Sequence, residues 1–167
     1  EDLTHARRIL LSRLSKPEED GFVSQYINRP LSRRISQQLT RTSLTPNAIT
    51  ILSFLITLGG AILFSLGEYA WTLLAGVLVQ LASVTDGCDG EVARLKFKAS
   101  RFGAWFDTVL DRYGDIAIAV GIISGRWLAD PGPYVWLGGT LALTGLILPS
   151  YMKKEYVLLY RHSLPFI

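Results

Sequence analysis

The apolar residues of this chain come in long blocks, and charge is confined to the segments between them. Residues 47–66 hold no charged side chain. About 20 apolar residues, rising 1.5 Å each in a helix, suffice for one bilayer crossing. Thr45 is placed to cap that helix, and Pro46 fits its first position. Gly67-Glu68-Tyr69 reads as a tight turn, and residues 70–85 as a second apolar run ending at Asp86, with Gln80 and Ser83 as inward polar positions. After a basic loop over residues 95–101, a third run goes from Gly103 to about Ser124, carrying Asp107, Asp111 and Asp115 on its first half. A fourth goes from Tyr134 to about Met152 and ends in Lys153-Lys154-Glu155. The pattern predicts an all-α, polytopic transmembrane helix bundle with four spans.

Two amphipathic stretches precede the first span. In residues 22–41, Phe22, Val23, Tyr26, Ile27, Leu31, Ile35 and Leu39 alternate with Arg29, Arg33, Arg34 and Arg41. This predicts a juxtamembrane amphipathic helix at lipid-phosphate level, kinked or restarted at Pro30. Residues 1–16 have helical spacing too, and Pro17 to Gly21 form a turn. We expect residues 1–21 to be a linker helix at the end of an upstream soluble domain, and residues 22–167 to be a membrane domain, incomplete at its C-terminus.

Composition agrees with the pattern. Of 167 residues, 49% are hydrophobic, and the mean hydropathy is +0.29, too apolar for an ordinary soluble domain of this size. The net charge is +3, but the basic residues cluster beside the predicted spans, which excludes a nucleic-acid surface and indicates a lipid bilayer as partner. By the positive-inside rule the N-terminus and the loop after the second span face the cytoplasm of a multi-pass cell-membrane protein. Trp71, Trp127 and Trp136 read as interface anchors, and Trp105 as packed inside. Cys88, the single cysteine, lies between two acids and reads as a spacer.

The candidate chemistry lies at that cytoplasmic edge. Asp86 and Asp89 share one helix face (i, i+3), and Asp107 and Asp111 (i, i+4) share a face of the next. Carboxylates at a membrane boundary are rare and usually functional. Four brought together must take up protons or cations. Oxygen donors of this kind suit two Mg²⁺ ions, with Mn²⁺ or Ca²⁺ as substitutes. Such ions could clamp a pyrophosphate. Gly90 leaves room at the backbone, and Arg94 offers a guanidinium to a phosphate. The plainer reading is a buried charge network with Arg94, Arg101 and Arg112. A divalent-ion channel or transporter would also use acids, and a prenyltransferase would use Asp-rich motifs with Mg²⁺.

The complete spacing D-x2-D-G-x2-A-R-x8-G-x3-D-x3-D resembles the signature of the CDP-alcohol phosphotransferase family; a prenyltransferase lacks its second half. The resemblance covers roughly residues 22–155. It implies six transmembrane helices, of which four are visible here, a homodimer, and transfer of an alcohol phosphate from a CDP-alcohol to an acceptor alcohol with release of CMP. It also implies roles. Asp86, Asp89, Asp107 and Asp111 would be metal ligands, with Asp111 also the base on the acceptor hydroxyl. Gly90, Arg94, Ser100 and Gly103 would hold the nucleotide, joined by Asn47 and Thr50 from a T-P-N-x-x-T stretch whose plainer use is capping and interhelical hydrogen bonding. Ser150-Tyr151-Met152-Lys153 resembles a stretch of phosphatidylinositol-phosphate synthases, which makes Lys153 an acceptor-binding candidate beside Arg112; a membrane-anchor lysine is the plainer alternative. The segments Leu14-Ser15-Lys16-Pro17 and Asn28-Arg29-Pro30-Leu31-Ser32 resemble the junction of fusion enzymes that carry a cytidylyltransferase before the membrane domain and make di-myo-inositol phosphate compounds. The first expectation is therefore CDP-inositol, or another CDP-polyol, reacting with a phosphorylated polyol. The second is a phospholipid synthase using CDP-diacylglycerol.

Overall fold

The computed structural model describes residues 24–161. The expected linker helix over residues 1–21 lies outside the described residues, as does the chain after Arg161. A π-helical turn, Ser24–Asn28, leads into α1 (Arg29–Leu39), which carries Pro30 in its first turn. Proline is tolerated there because the first-turn N–H groups have no helical acceptor. Four longer helices follow: α2 (Pro46–Ser65), α3 (Tyr69–Leu95), α4 (Arg101–Ala129) and α5 (Pro133–Arg161). There is no strand among the described residues.

Helix boundaries have local causes. Thr45 is extended and its hydroxyl accepts from the Ala48 N–H at 3.3 Å, while Pro46 occupies the first turn. Ser100 caps α4 in the same way, accepting from the Gly103 N–H at 2.9 Å. At the end of α3 the N–H of Phe97 bonds the Arg94 carbonyl and that of Lys98 bonds the Ala93 carbonyl. This paired bonding puts Phe97 at φ 55°, in the left-handed position where glycine is usual. Helix α3 therefore runs nine residues beyond Asp86, through the whole aspartate motif, and the predicted loop over 95–101 shrinks to a short turn. Lys96, expected only as part of a basic loop, donates to the carbonyls of Thr42 and Leu44 at 2.8 and 2.7 Å. It pins the α1–α2 connection to the end of α3.

Helices α2, α3 and α4 form the bundle, α1 lies on α3, and α5 lies on α4. Apart from a small cluster of Ile49, Cys88 and Val92 with Leu39 against it, many of the buried contacts are made by small residues. Ala61, Ala75 and Ala82 are buried, as are Gly60, Gly114, Gly121 and Gly125. A Cβ on Gly121 would overlap the Ala61 carbonyl oxygen, and one on Gly125 the Phe64 carbonyl oxygen. Large apolar side chains point outward instead, among them Leu55, Ile62, Leu73, Val77 and Leu81. Close backbone approach inside and bulky apolar groups outside is the arrangement helices adopt when lipid is the solvent.

By length and composition α2 and α3 are long and apolar enough to cross a membrane, and only 28% and 22% of their apolar windows are buried in the protein. That separates them from the core helices of a soluble protein. Helix α4 carries Asp107, Asp111, Arg112 and Asp115 in its first half, and the apolar part of α5 ends at Pro149.

Helix α1 turns small polar residues toward the protein. Ser32 and Ser36 are buried against the bundle, whereas Ile27, Leu31 and Ile35 face outward. Trp105 is 60% exposed, grouped with Phe102 at a ring distance of 5.8 Å, not packed inside.

Candidate metal centre and its two cavities

Asp86 and Asp89 come from α3, and Asp107 from α4. One carboxylate oxygen of each lies within 4.8 Å of the others. The aspartates arrive together because α3 stays helical through its motif and the Ser100 cap starts α4 about two turns before Asp107. Helix α2 supplies the supports. The Thr50 hydroxyl donates to Asp89 Oδ2, and the Gly90 N–H donates to Asp89 Oδ1. Ser53 Oγ lies 3.5 Å from Asp86 Oδ1 while donating to the Thr50 carbonyl at 2.8 Å. Asp107 Oδ1 is buried with no hydrogen-bond partner. An orphaned buried carboxylate oxygen in a nest of carboxylates calls for a proton or a cation. The donors are hard oxygens, so the cluster fits Mg²⁺, Mn²⁺ or Ca²⁺ by chemistry.

Two cavities meet at the cluster. One, of about 250 Å³, is lined by Asp89 and Asp107 together with Asn47, Thr50, Gly90, Arg94, Ser100 and Gly103. All six nucleotide-binding candidates thus face one space, though they come from α2, α3, the α3–α4 turn and α4. The other, of about 310 Å³, is lined by Asp86, Asp111, Arg112 and Asp115 with Thr50, Ser53 and Thr57. Thr50 lines both, so it stands where the spaces join. Asp111 lies one turn along α4 from Asp107 and belongs to the second cavity; it is not within the three-carboxylate group. Arg112 bridges to Asp115 at 3.0 Å while lining the same cavity. Lys153 is on α5, but its side chain lies outside the described residues.

Several lining residues escaped the sequence reading. Lys98 and Ala99 reach the smaller cavity from the α3–α4 turn; the available signal was a lysine two residues before the Ser100 cap. Ser53 and Thr57 were visible as hydroxyls at i, i+3 and i, i+7 from Thr50 within an apolar span. Their common face is the useful signal, since a polar stripe on such a helix must find a partner inside the protein.

Among the described residues the chain is an all-helical bundle of membrane type, with outward apolar faces and, between two cavities, a carboxylate cluster that could hold a metal ion. The chain matches the CDP-alcohol phosphatidyltransferase family over residues 43–157, and it belongs to that family of transferases. It is 38% identical over 159 residues to a protein of Aquifex aeolicus named bifunctional IPC transferase and DIPP synthase, covering 93% of this chain and 35% of that protein. A Rubrobacter xylanophilus protein of the same name is 43% identical over 82% of this chain and 30% of its own length. The chain therefore spans about a third of the length of these bifunctional relatives. The fold is similar to crystal structures of Mycobacterium tuberculosis phosphatidylinositol phosphate synthase, at 32% identity and a TM-score of 0.62. One has CDP-DAG bound, with 75% of this chain and 62% of that chain covered. Another contains manganese and citrate, with 74% and 58% covered.

Proposed function

We propose that this chain catalyses divalent-metal-dependent transfer of a substituted phosphate group from a CDP-alcohol to an acceptor alcohol, releasing CMP. One observation carries the reading: the three-carboxylate cluster stands at the junction of two polar cavities, one for each substrate. Asp86, Asp89 and Asp107 would hold the cations, with Asp111 beside them. When bound, Mg²⁺ ions there neutralise the carboxylates and polarise the pyrophosphate.

The protein's own groups do the rest. In the smaller cavity Arg94 and Lys98 hold the donor's phosphates, Gly90 and Gly103 admit the nucleotide to the backbone, and Asn47 and Ser100 border it. In the larger cavity Arg112 holds a phosphorylated acceptor, joined by Lys153. Asp111 takes the proton of the acceptor hydroxyl as the new oxygen–phosphorus bond forms and the pyrophosphate P–O bond breaks, with CMP leaving.

The donor is CDP-inositol or another CDP-polyol, and the acceptor a phosphorylated polyol. The coverage of 93% of this chain at 38% identity by a bifunctional IPC transferase and DIPP synthase supports this choice. A second reading, a phospholipid synthase using CDP-diacylglycerol, is favoured by the likeness to a synthase with CDP-DAG bound. In either case the chain crosses the membrane four times with the cluster facing the cytoplasm and forms a homodimer; on the polyol reading it also works with a fused or partner cytidylyltransferase.

The test is Mg²⁺-dependent CMP release by the purified membrane protein, with CDP-inositol in one arm and CDP-diacylglycerol in the other, each with and without inositol phosphate. Release with CDP-inositol alone supports the polyol reading. Release with CDP-diacylglycerol alone replaces it with the lipid reading, and release with neither overturns both choices of donor.

A further inference from the structure

Glu91 is the acidic residue of the motif helix that the reaction does not use. It is 4% exposed and lines neither cavity. It is two residues from Asp89, about 200° around the helix at 100° per residue, so it points away from the cluster. Its Oε1 accepts from the Ser32 hydroxyl at 2.9 Å and lies 3.8 Å from Arg29 Nη1, both on α1. Its Oε2 is buried without a hydrogen-bond partner. An apolar side chain would fill such a place at lower desolvation cost, so packing alone does not call for a carboxylate.

The rest of the α1–α3 contact shares this character. The Asn28 amide donates to Ser83 Oγ at 2.8 Å and accepts from the Gln80 amide. A Cβ on Gly87 would lie 3.4 Å from the Ser32 Cβ, in ordinary van der Waals contact. Residues 80, 83, 87 and 91 follow helical spacing, so this is one polar seam of small and hydrogen-bonding residues, the kind that joins helices in lipid. The motif turn of α3 is thus gripped from two sides: Thr50 of α2 holds Asp89, and Ser32 and Arg29 of α1 hold Glu91.

We infer that Glu91 is a positioning residue: held by Ser32 and Arg29, it locks the rotation and height of the α3 turn that presents Asp86 and Asp89 to the cluster. The inference rests on the reading of the cluster as a metal centre. Ligand placement must hold to within about 0.5 Å, and the Ser32 and Arg29 contacts to Glu91 fix the motif turn on the side away from Thr50.

The test is Mn²⁺ binding to the full chain in detergent without substrate, read from the electron paramagnetic resonance signal of free Mn²⁺, with a helical circular-dichroism spectrum as the folding control. Glu91→Leu raises the Kd about tenfold. Glu91→Gln keeps a carbonyl oxygen for Ser32 and raises it less than about threefold, whereas Ser32→Ala raises it about threefold. The double variant Ser32→Ala/Glu91→Leu binds no worse than Glu91→Leu, because the two act through one contact. If Glu91→Leu does not fold, Ser32→Ala against Glu91→Gln decides. Mn²⁺ binding that Asp86→Ala abolishes but no seam variant alters, or seam effects that simply add, overturns the positioning role alone. Binding that Asp86→Ala leaves unchanged overturns the metal centre and the positioning role together.

Discussion

At the scale of single residues, the four aspartates divide into a trio and a neighbour. Asp86, Asp89 and Asp107 approach within 4.8 Å, while Asp111 faces the larger cavity. The division yields two different expectations. Asp111→Asn removes the proposed base on the acceptor hydroxyl, so CMP release should fall by at least about 100-fold while donor binding partly survives; full activity would end the base assignment. Asp86→Ala takes a ligand from the trio, so metal-dependent CDP binding is lost, and an unchanged Mg²⁺ dependence would remove it from the ligand set. The spacing of the aspartates made both legible, since i, i+3 and i, i+4 pairs each share a helix face. Thr50 was legible only as a candidate. Its hydroxyl's hold on Asp89 depends on how α2 crosses α3, which no local pattern records.

At the scale of helices, apolar runs located all four long elements and placed Thr45 and Pro46 at the start of α2. They misjudged the length of α3, because a charged motif reads as the end of a span although its backbone remains helical. Amphipathic spacing marked a polar and an apolar face on α1 but did not say which meets the protein; Ser32 and Ser36 turn in, while Leu31 and Ile35 turn outward. The α2–α4 crossing depends on Gly121 and Gly125, where a Cβ would strike the backbone carbonyls of Ala61 and Phe64. Backbone cannot yield as a side chain can, so Gly121→Ala or Gly125→Ala destabilises the fold by about 1–3 kcal/mol, measured as a lower unfolding temperature in detergent. On α5, Gly139 packs on Ile123 of α4, whereas Gly138 and Gly145 face open space.

At the scale of the whole molecule, orientation in the bilayer and metal dependence are the properties to check. The single cysteine, Cys88, is fully buried, which gives a low background for cysteine labelling. Arg101→Cys, at the start of α4, should react with an impermeant thiol reagent only from the cytoplasmic side, and Pro131→Cys, in the α4–α5 turn, only from the opposite side. The reverse pattern would invert the topology. Chelation of divalent ions should stop CMP release, and Mn²⁺ or Mg²⁺ should restore it; activity that survives chelation would sink the metal-dependent reaction.

What the sequence determined by itself was local: which stretches are apolar enough to be long helices, where Thr45 and Pro46 start one, and which acids share a helix face. These follow from the helical repeat and from the cost of placing charge in lipid. Only the tertiary structure decided which faces meet. It grouped Asp107 with Asp86 and Asp89, set Asp111 aside, gathered residues from three helices and a turn around one cavity, and buried Glu91 behind the motif. Such choices depend on how closely backbones can approach and how helices are rotated about their axes. Those in turn depend on glycines and serines that in sequence look like any other small residues.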